Sequence, residues 1–203
     1  MSETLIIFSR YPEPGKTKTR MIPNLGAEGA AELQRAMTEY TLNTAKQLLC
    51  RHSKFTIEVH FAGGNQQQMV EWLGKEIRYI AQVSGDLGDR MRTAFERAFN
   101  LDNQRVVVIG IDCPDLDKII LNKAFNSLQK QDLVLGPAED GGYYLIGLNH
   151  PLPELFQNID WGSDRVLNQT KAIADKLNLS THYLPILADI DRPEDLIIWQ
   201  KYT

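Results

Sequence analysis

The sequence predicts an α/β layered fold, a mostly parallel central sheet with helices packed on it. Three observations carry that expectation. Short apolar runs alternate along the chain with longer segments whose apolar residues recur at three- and four-residue steps. Two of the runs, Leu5-Ile6-Ile7-Phe8 and Val106-Val107-Val108-Ile109, hold no polar residue, as strands buried on both faces require. The 203 residues are 43% hydrophobic and 24% charged, ordinary for a folded domain, with no repeat or low-complexity tract. A single domain over 1–203 is expected. A chain of this length buries about 70% of its unfolded surface and needs no disulfide or metal to fold.

Each element follows from its local pattern. Residues 5–8 form the first strand, and a loop rich in Pro, Gly, Lys and Thr runs from 9 to about 26. A helix from 27 to about 49 places Leu33, Met37, Tyr40, Thr44 and Leu48 on one face. Residues 55–61 alternate and form a second strand. A short helix at 66–73 and a weak strand at 77–81 come next. Ser84-Gly85 breaks the chain before a helix with Leu87, Met91, Ala94 and Ala98 on one side. The strand at 106–109 is the strongest. After it come a helix at 116–129, strands at 133–135 and 144–146, a helix near 163–177, a strand at 182–187 and a helix from Pro193.

Composition excludes several functions. Twenty-two Lys and Arg against 26 Asp and Glu give a net charge of −4, with no basic field to attract nucleic acid or anionic lipid. Cys50 and Cys113 follow no metal or redox spacing, and a reduced, cytoplasmic compartment fits them. The N-terminal Met-Ser-Glu-Thr carries an acid where a signal peptide has basic residues, and no stretch is long enough to span a membrane. His52, His60, His150 and His182 form no metal spacing.

In a parallel sheet, ligands sit beyond the carboxyl ends of the strands, so the loops there carry the chemistry. The first is Pro12-Glu13-Pro14-Gly15-Lys16-Thr17-Lys18-Thr19-Arg20. A phosphate loop of the Walker type needs glycine at position 10, where Arg10 stands, so that motif fails. If the stretch is extended, Lys16, Lys18 and Arg20 point to one side and suit a di- or triphosphate; otherwise the run is a solvated surface loop. In the second, Gly110-Ile111-Asp112-Cys113-Pro114-Asp115, Asp112 is placed to hold Mg²⁺ against phosphate oxygens and Asp115 to cap the next helix. Cys113 reads as a small buried hydrophobe.

The third loop, Gly136-Pro137-Ala138-Glu139-Asp140-Gly141-Gly142, suits sugar binding through Glu139, Asp140 and the paired glycines Gly141 and Gly142. It equally suits a tight hairpin turn. In the fourth, around Asp189-Ile190-Asp191-Arg192-Pro193, Asp191 is a metal ligand or a helix-start acid. Gly85, Asp86 and Arg90 either line a nucleotide pocket or only begin a helix. Trp161 and Ser163 hold an acceptor, or Ser163 only caps a helix.

Taken in order, these loops resemble the nucleotide-diphospho-sugar transferase superfamily. The matching segments are the cationic first loop, Gly-Asp-Leu-Gly-Asp-Arg-Met at 85–91, Gly-Ile-Asp-Cys-Pro at 110–114, Glu-Asp-Gly-Gly-Tyr-Tyr-Leu at 139–145 and Ile-Asp-Arg-Pro-Glu-Asp-Leu at 190–196. Together they resemble a bacterial family of small glycosyltransferase-like proteins long catalogued as a domain of unknown function, some labelled arsenosugar-biosynthesis glycosyltransferases. The resemblance covers nearly the whole chain. It implies a GT-A-type α/β/α sandwich with a mixed sheet, and Mg²⁺ or Mn²⁺ shared by Asp112 and Asp191. The superfamily's glycine-rich first loop ends in Thr/Ser-Arg. Thr19-Arg20 match that end, while Pro12, Pro14, Lys16 and Lys18 replace most of the glycines. A strict Asp-x-Asp motif is absent, Asp115 standing three positions after Asp112.

Two reactions share this site. In glycosyl transfer, a nucleotide-activated sugar passes to a small acceptor, with charge on the departing diphosphate stabilised by Lys16 and Arg20 and with Asp140 the candidate base. In nucleotidyl transfer, a phosphorylated acceptor attacks an NTP and pyrophosphate leaves. The family label favours the first; the cationic loop and the short chain favour the second. A non-catalytic nucleotide-sugar binding protein is the third reading, and a scaffold without nucleotide affinity the fourth.

Overall fold

The structure is a computed structural model that describes residues 2–51 and 54–202; His52 lies outside the described residues. Seven strands form one sheet: β1 (Glu3–Arg10), β2 (Phe55–Ala62), β3 (Arg78–Ala81), β4 (Arg105–Ile109), β5 (Leu133–Pro137), β6 (Tyr143–Leu148) and β7 (Thr181–Tyr183). Their order is β3-β2-β1-β4-β6-β5-β7. All neighbours are parallel except β6, which runs antiparallel to both β4 and β5. The hairpin between β5 and β6 produces that exception, so the Asp-Gly turn reading of 138–142 holds.

Alternation within the central strands builds two cores. Leu5, Ile7, Val107 and Ile109 face one core with helices α1 (Ile22–Lys46), α2 (Gln66–Leu73) and α4 (Lys118–Ser127). Ile6, Val106 and Val108 face the other, with α3 (Leu87–Phe99) and α5 (Val166–Lys176). The result is a three-layer sandwich. Leu5, Ile6 and Ile7 are fully buried, each contributing about 1.5–3 kcal/mol relative to exposure.

The departures from the sequence reading have local causes. Helical backbone starts at Ile22, with Pro23 in its first turn, but Gly26 interrupts it at φ 71°, and the regular helix resumes at Ala27. Helix α4 starts at Lys118 because Asp117, not Asp115, caps it, accepting from the amides of Ile119 and Ile120 at 2.8 Å each. Helix α5 starts at Val166 with Arg165 at its N-cap, so Ser163, three residues earlier, does not cap it. Strand β7 ends at Tyr183 because Pro185 has no N–H for the ladder. A single bridge between Ala138 and Leu187 resumes the pairing. The expected final helix is a 3-10 turn, Pro193–Asp195, running into the short α6 (Leu196–Trp199).

The alternation of β2 does not separate core from solvent. Glu58 and His60 are buried, and Glu58 bonds His60 and Arg78 at 3.0 Å and Arg97 at 3.1 Å. Burial works against its charge, but His60, Arg78 and Arg97 hold the carboxyl below its usual range. No described helix is long and apolar enough to cross a membrane.

Candidate active site

A cavity of about 590 Å³ opens at the carboxyl ends of β1, β2 and β4, where the loops after the strands converge. The first loop does not extend. Lys16 N donates to Glu13 O at 3.0 Å, Gly15 turns at φ 78°, and residues 19–21 form a 3-10 turn. The alternate-residue geometry expected for its cations is therefore replaced by a coil. All three cations still line the cavity. Lys16 is paired locally with Glu13 at 2.6 Å. Lys18 sits in the left-handed region at φ 46°, a conformation that a non-glycine residue holds only when its surroundings fix it. Its Nζ lies 2.7 Å from Asp112 Oδ1 and also donates to the Ile190 carbonyl. Arg20 pairs with Asp191.

Four carboxylates share this edge. Asp112 follows β4, Asp140 lies in the β5–β6 turn, and Asp189 and Asp191 follow β7; all line the cavity. Ile190 N donates to Asp112 O at 2.8 Å, stitching the last loop to the second. Partial burial, then repulsion from Asp140, Asp112 and Asp191, pushes the Asp189 carboxyl up to about 6. Burial, then Asp112, Asp189 and Asp140, raises the Cys113 thiol and keeps it neutral, in keeping with its reading as a buried hydrophobe. Asp115 does not join the cluster; it accepts from the Tyr202 hydroxyl.

The third loop contributes unevenly. Asp140 and Gly142 line the cavity, while Glu139 and Gly141 do not. Asp140 Oδ1 accepts from Gly142 N at 2.8 Å, fixing the turn. Gly141, at φ 88°, has no room for a side chain because the Asp164 backbone lies against it. Gly15, Gly85 and Asp86 also lie outside the lining. Asp86 caps α3, accepting from Asp89 N at 2.8 Å, so the helix-start reading describes it. From the same segment Leu87, Arg90 and Met91 do reach the cavity. Trp161 and Ser163 line it as well. Trp161 meets Tyr143 edge-on, their centroids 6.4 Å apart, and Ser163 accepts from Arg165 N at 3.3 Å.

The structure adds lining residues the sequence reading passed over: Asp189, Gln34, Gln82 and Tyr143. Asp189 was detectable, since it stands two residues before Asp191 and on the same side of an extended chain. Gln34 was detectable as a polar residue on the packing face of α1; its amide donates to Arg10 O at 3.1 Å. Nothing local marks Gln82, whose amide donates to the His60 carbonyl at 2.8 Å. None of His60, His150 and His182 lines the cavity.

The acids suit a hard dication without forming a closed cage. Among the described residues no three His, Cys, Asp or Glu side chains converge as a preformed metal site. Mg²⁺ typically takes one or two carboxylates and completes its shell with water and substrate phosphates. Asp112 and Asp191, half exposed and facing the cavity, fit that demand, and the mutual repulsion recorded at Asp189 is what a dication would relieve.

A family model described as "Uncharacterized protein conserved in bacteria (DUF2064)" matches residues 41–163. A solved protein of Desulfovibrio desulfuricans G20, provisionally described as a nucleotide-diphospho-sugar transferase, is 34% identical over 100% of this chain and 88% of its own, with a TM-score of 0.92. The 4-diphosphocytidyl-2C-methyl-D-erythritol synthase of Anaerococcus prevotii DSM 20548 is 13% identical over 99% of this chain and 97% of its own, with a TM-score of 0.65. Glucosyl-3-phosphoglycerate synthase of Mycobacterium tuberculosis, solved with Mn²⁺, UDP and glucosyl-3-phosphoglycerate, is 11% identical over 97% of this chain and 74% of its own, with a TM-score of 0.60. The last two are likenesses of fold. No curated protein matches the sequence. The architecture is of the GT-A type, as the loop order implied.

Proposed function

The chain belongs to this bacterial family, and from that premise we propose that it is a metal-dependent transferase that passes a glycosyl group from a nucleotide-activated sugar to a small acceptor. The observation that carries the reading is the interleaving of first-loop cations with later carboxylates, Lys18 on Asp112 and Arg20 on Asp191, inside one cavity. A diphosphate with its dication requires both kinds of group side by side. The fold of the Desulfovibrio protein and the Mn²⁺ and UDP bound by the mycobacterial synthase support it.

In this reading Asp112 and Asp191 hold Mg²⁺ or Mn²⁺, which when bound supplies Lewis-acid stabilisation of the leaving diphosphate. Lys16, Lys18 and Arg20 bind the phosphate oxygens. An acceptor hydroxyl attacks the anomeric carbon, and the bond from that carbon to the diphosphate breaks, its electron pair leaving with the nucleoside diphosphate. The hydroxyl proton passes to Asp140, the candidate base. Lys16 and Arg20 neutralise charge as it grows on the leaving group. Gly142 and Ser163 offer polar contacts to the sugar or acceptor, and Trp161 offers a flat apolar face. Gly15, Gly85, Asp86, Glu139 and Gly141 act through the shape of their turns.

A second reading, nucleotidyl transfer, is favoured by one observation. Five cations, Arg10, Lys16, Lys18, Arg20 and Arg90, line the cavity, enough for a triphosphate. There a phosphate oxygen of the acceptor attacks the α-phosphorus of an NTP, and pyrophosphate leaves. Calorimetric titration of NTPs and of UDP-, GDP- and dTDP-sugars, with Mg²⁺, Mn²⁺ or EDTA, separates the two. Metal-dependent binding of one diphospho-sugar above all NTPs is expected. The reverse preference selects nucleotidyl transfer. Tight binding without turnover of any acceptor leaves a nucleotide-sugar binding protein, and no binding at all sinks all three.

A further inference from the structure

One of the three first-loop cations is enclosed. The Lys18 side chain is 6% exposed, against 62% for Lys16 and 65% for Arg20. Its backbone is fixed on both sides. The hydroxyl of the buried Thr17 donates to Glu13 O at 3.2 Å, and Met21 N donates to Lys18 O at 2.8 Å. Between them Lys18 is held at φ 46° and ψ 44°, a backbone that glycine would adopt without strain. The position therefore keeps its lysine for the side chain and not for the turn.

An ammonium has three donors. One meets Asp112 Oδ1 at 2.7 Å and a second meets the Ile190 carbonyl, so the group bridges the loops that carry Asp112 and Asp191. The third has no protein partner among the described residues, and Lys18 lines the cavity. Asp112 thus offers one carboxylate to Lys18 and to a dication. Both are positive, so each weakens the other's hold on it. Asp191 is shared in the same way with Arg20, but that guanidinium is exposed, where water screens its charge and its side chain can turn away. Lys18 is screened by little water, and its carbonyl contact keeps it in place. A diphosphate reverses the balance. Its oxygens are attracted at once by the dication and by the uncommitted ammonium donor.

We propose that Lys18 is a built-in counter-cation that sets the metal affinity of this site, so that Asp112 and Asp191 hold a dication weakly by itself and firmly together with a nucleoside diphosphate. The inference rests on the transferase reading and deepens it: the dication and the diphosphate enter as one complex. Lys18 then acts on the two ligands with opposite signs. It opposes the dication at Asp112 and supports the phosphate. A residue that merely kept the two loops in shape would support both.

The test measures two affinities in wild type, Lys18→Met and Lys18→Arg. Mn²⁺ is titrated without nucleotide and followed by electron paramagnetic resonance. UDP, GDP, CDP and dTDP are titrated by calorimetry in saturating Mn²⁺. Lys18→Met is expected to bind Mn²⁺ about five- to fiftyfold more tightly than wild type, and the preferred nucleoside diphosphate about three- to tenfold more weakly. Lys18→Arg, which keeps the charge, should hold Mn²⁺ within about threefold of wild type. Adding Asp112→Asn to Lys18→Met should remove the gain in Mn²⁺ affinity. An Mn²⁺ affinity unchanged or weakened in Lys18→Met overturns the proposal, and metal-dependent nucleotide binding in the same experiment would leave the transferase reading standing. A gain that survives Asp112→Asn overturns the proposal too, because the dication then sits on other carboxylates. Tighter Mn²⁺ binding in Lys18→Met, with no nucleotide bound by any of the proteins, keeps the counter-cation and removes the transferase reading instead. Thermal melting checks folding; should Lys18→Met fail it, Lys18→Gln, which keeps a donor for the Ile190 carbonyl, is read in its place and should shift Mn²⁺ affinity in the same direction.

Discussion

The two ends of the central strands carry the same chemistry in opposite states. At the amino ends of β1 and β4, the Glu3 carboxylate is fully enclosed between Arg105 at 2.7 Å and Arg51 at 3.0 Å. Arg51 also bonds Asn122 and Asn126 and stacks over the Phe125 ring. At the carboxyl ends, Asp112 and Asp191 also meet cations, but their side chains are 49% and 41% exposed and face a cavity. The first network is closed and offers nothing to a ligand. The second is open, with carboxylate oxygens to spare and an uncompensated neighbour in Asp189. Ion pairs of similar geometry thus serve as a structural clasp at one end and as exchangeable contacts at the other. Enclosure decides which, because a buried charge cannot exchange its partner for water.

The contrast breaks most visibly at Glu3. Glu3→Gln leaves Arg105 buried without its counter-charge and should cost about 3–5 kcal/mol of stability, measured by urea unfolding. A loss below about 1 kcal/mol would show the clasp to be dispensable. The matching change at the open end is Asp112→Asn. Its stability cost should be about 1–3 kcal/mol, below that at Glu3, because Lys18 is itself enclosed but the new amide oxygen and the Ile190 carbonyl still accept from it. Its functional cost should be the loss of metal-dependent nucleotide binding, read by calorimetry with Mg²⁺ against EDTA. Unchanged Mg²⁺ dependence removes Asp112 from the metal. Arg20→Ala, whose side chain is well exposed in its pair with Asp191, should leave the melting temperature almost unmoved. It should weaken nucleotide binding by about 1.5–3 kcal/mol, the scale of a charge-assisted hydrogen bond. An unaltered dissociation constant would return the first loop to solvated surface.

The same division governs what could be read from sequence. Leu5-Ile6-Ile7-Phe8 and Val106-Val107-Val108-Ile109 revealed the central strands because burial on both faces excludes polar residues there. Asp112 was legible because it stands in the loop directly after β4, where a parallel sheet puts its ligands, whereas Asp191, eight residues past the end of β7, was singled out by the resemblance of segment 190–196. The conformation of the first loop was not legible. Lys18 takes a left-handed backbone while paired with a residue 94 positions away, and no local pattern encodes that partner. The early end of β7 could have been read from Pro185. Asp189 could have been read from its spacing to Asp191, but the desolvation that raises its pKa could not, since packing is invisible in sequence.

The sharpest test of closed against open is the sign of the pH dependence. Glu58, in a second closed network, has its carboxyl held below the usual range by His60, Arg78 and Arg97. An acid with a depressed folded pKa contributes stability at neutral pH and loses it as pH falls through that depressed value. Asp189, at the open end, is pushed up to about 6. The folded chain then binds its proton more tightly than the unfolded chain, so stability falls as pH rises from about 4 to about 6. Unfolding free energies in metal-free buffer across this range should therefore diverge. The deficit of Glu58→Gln relative to wild type should be present at neutral pH and shrink in acid. Asp189→Asn should exceed wild type at neutral pH by about 1 kcal/mol, solvent screening included, with the advantage gone by about pH 4. A saturating dication should erase the Asp189→Asn advantage by stabilising the ionised cluster of wild type, and should leave Glu58→Gln unaffected. Parallel slopes in the two variants would mean that both carboxylates are held alike, and the division between clasp and contact would fall.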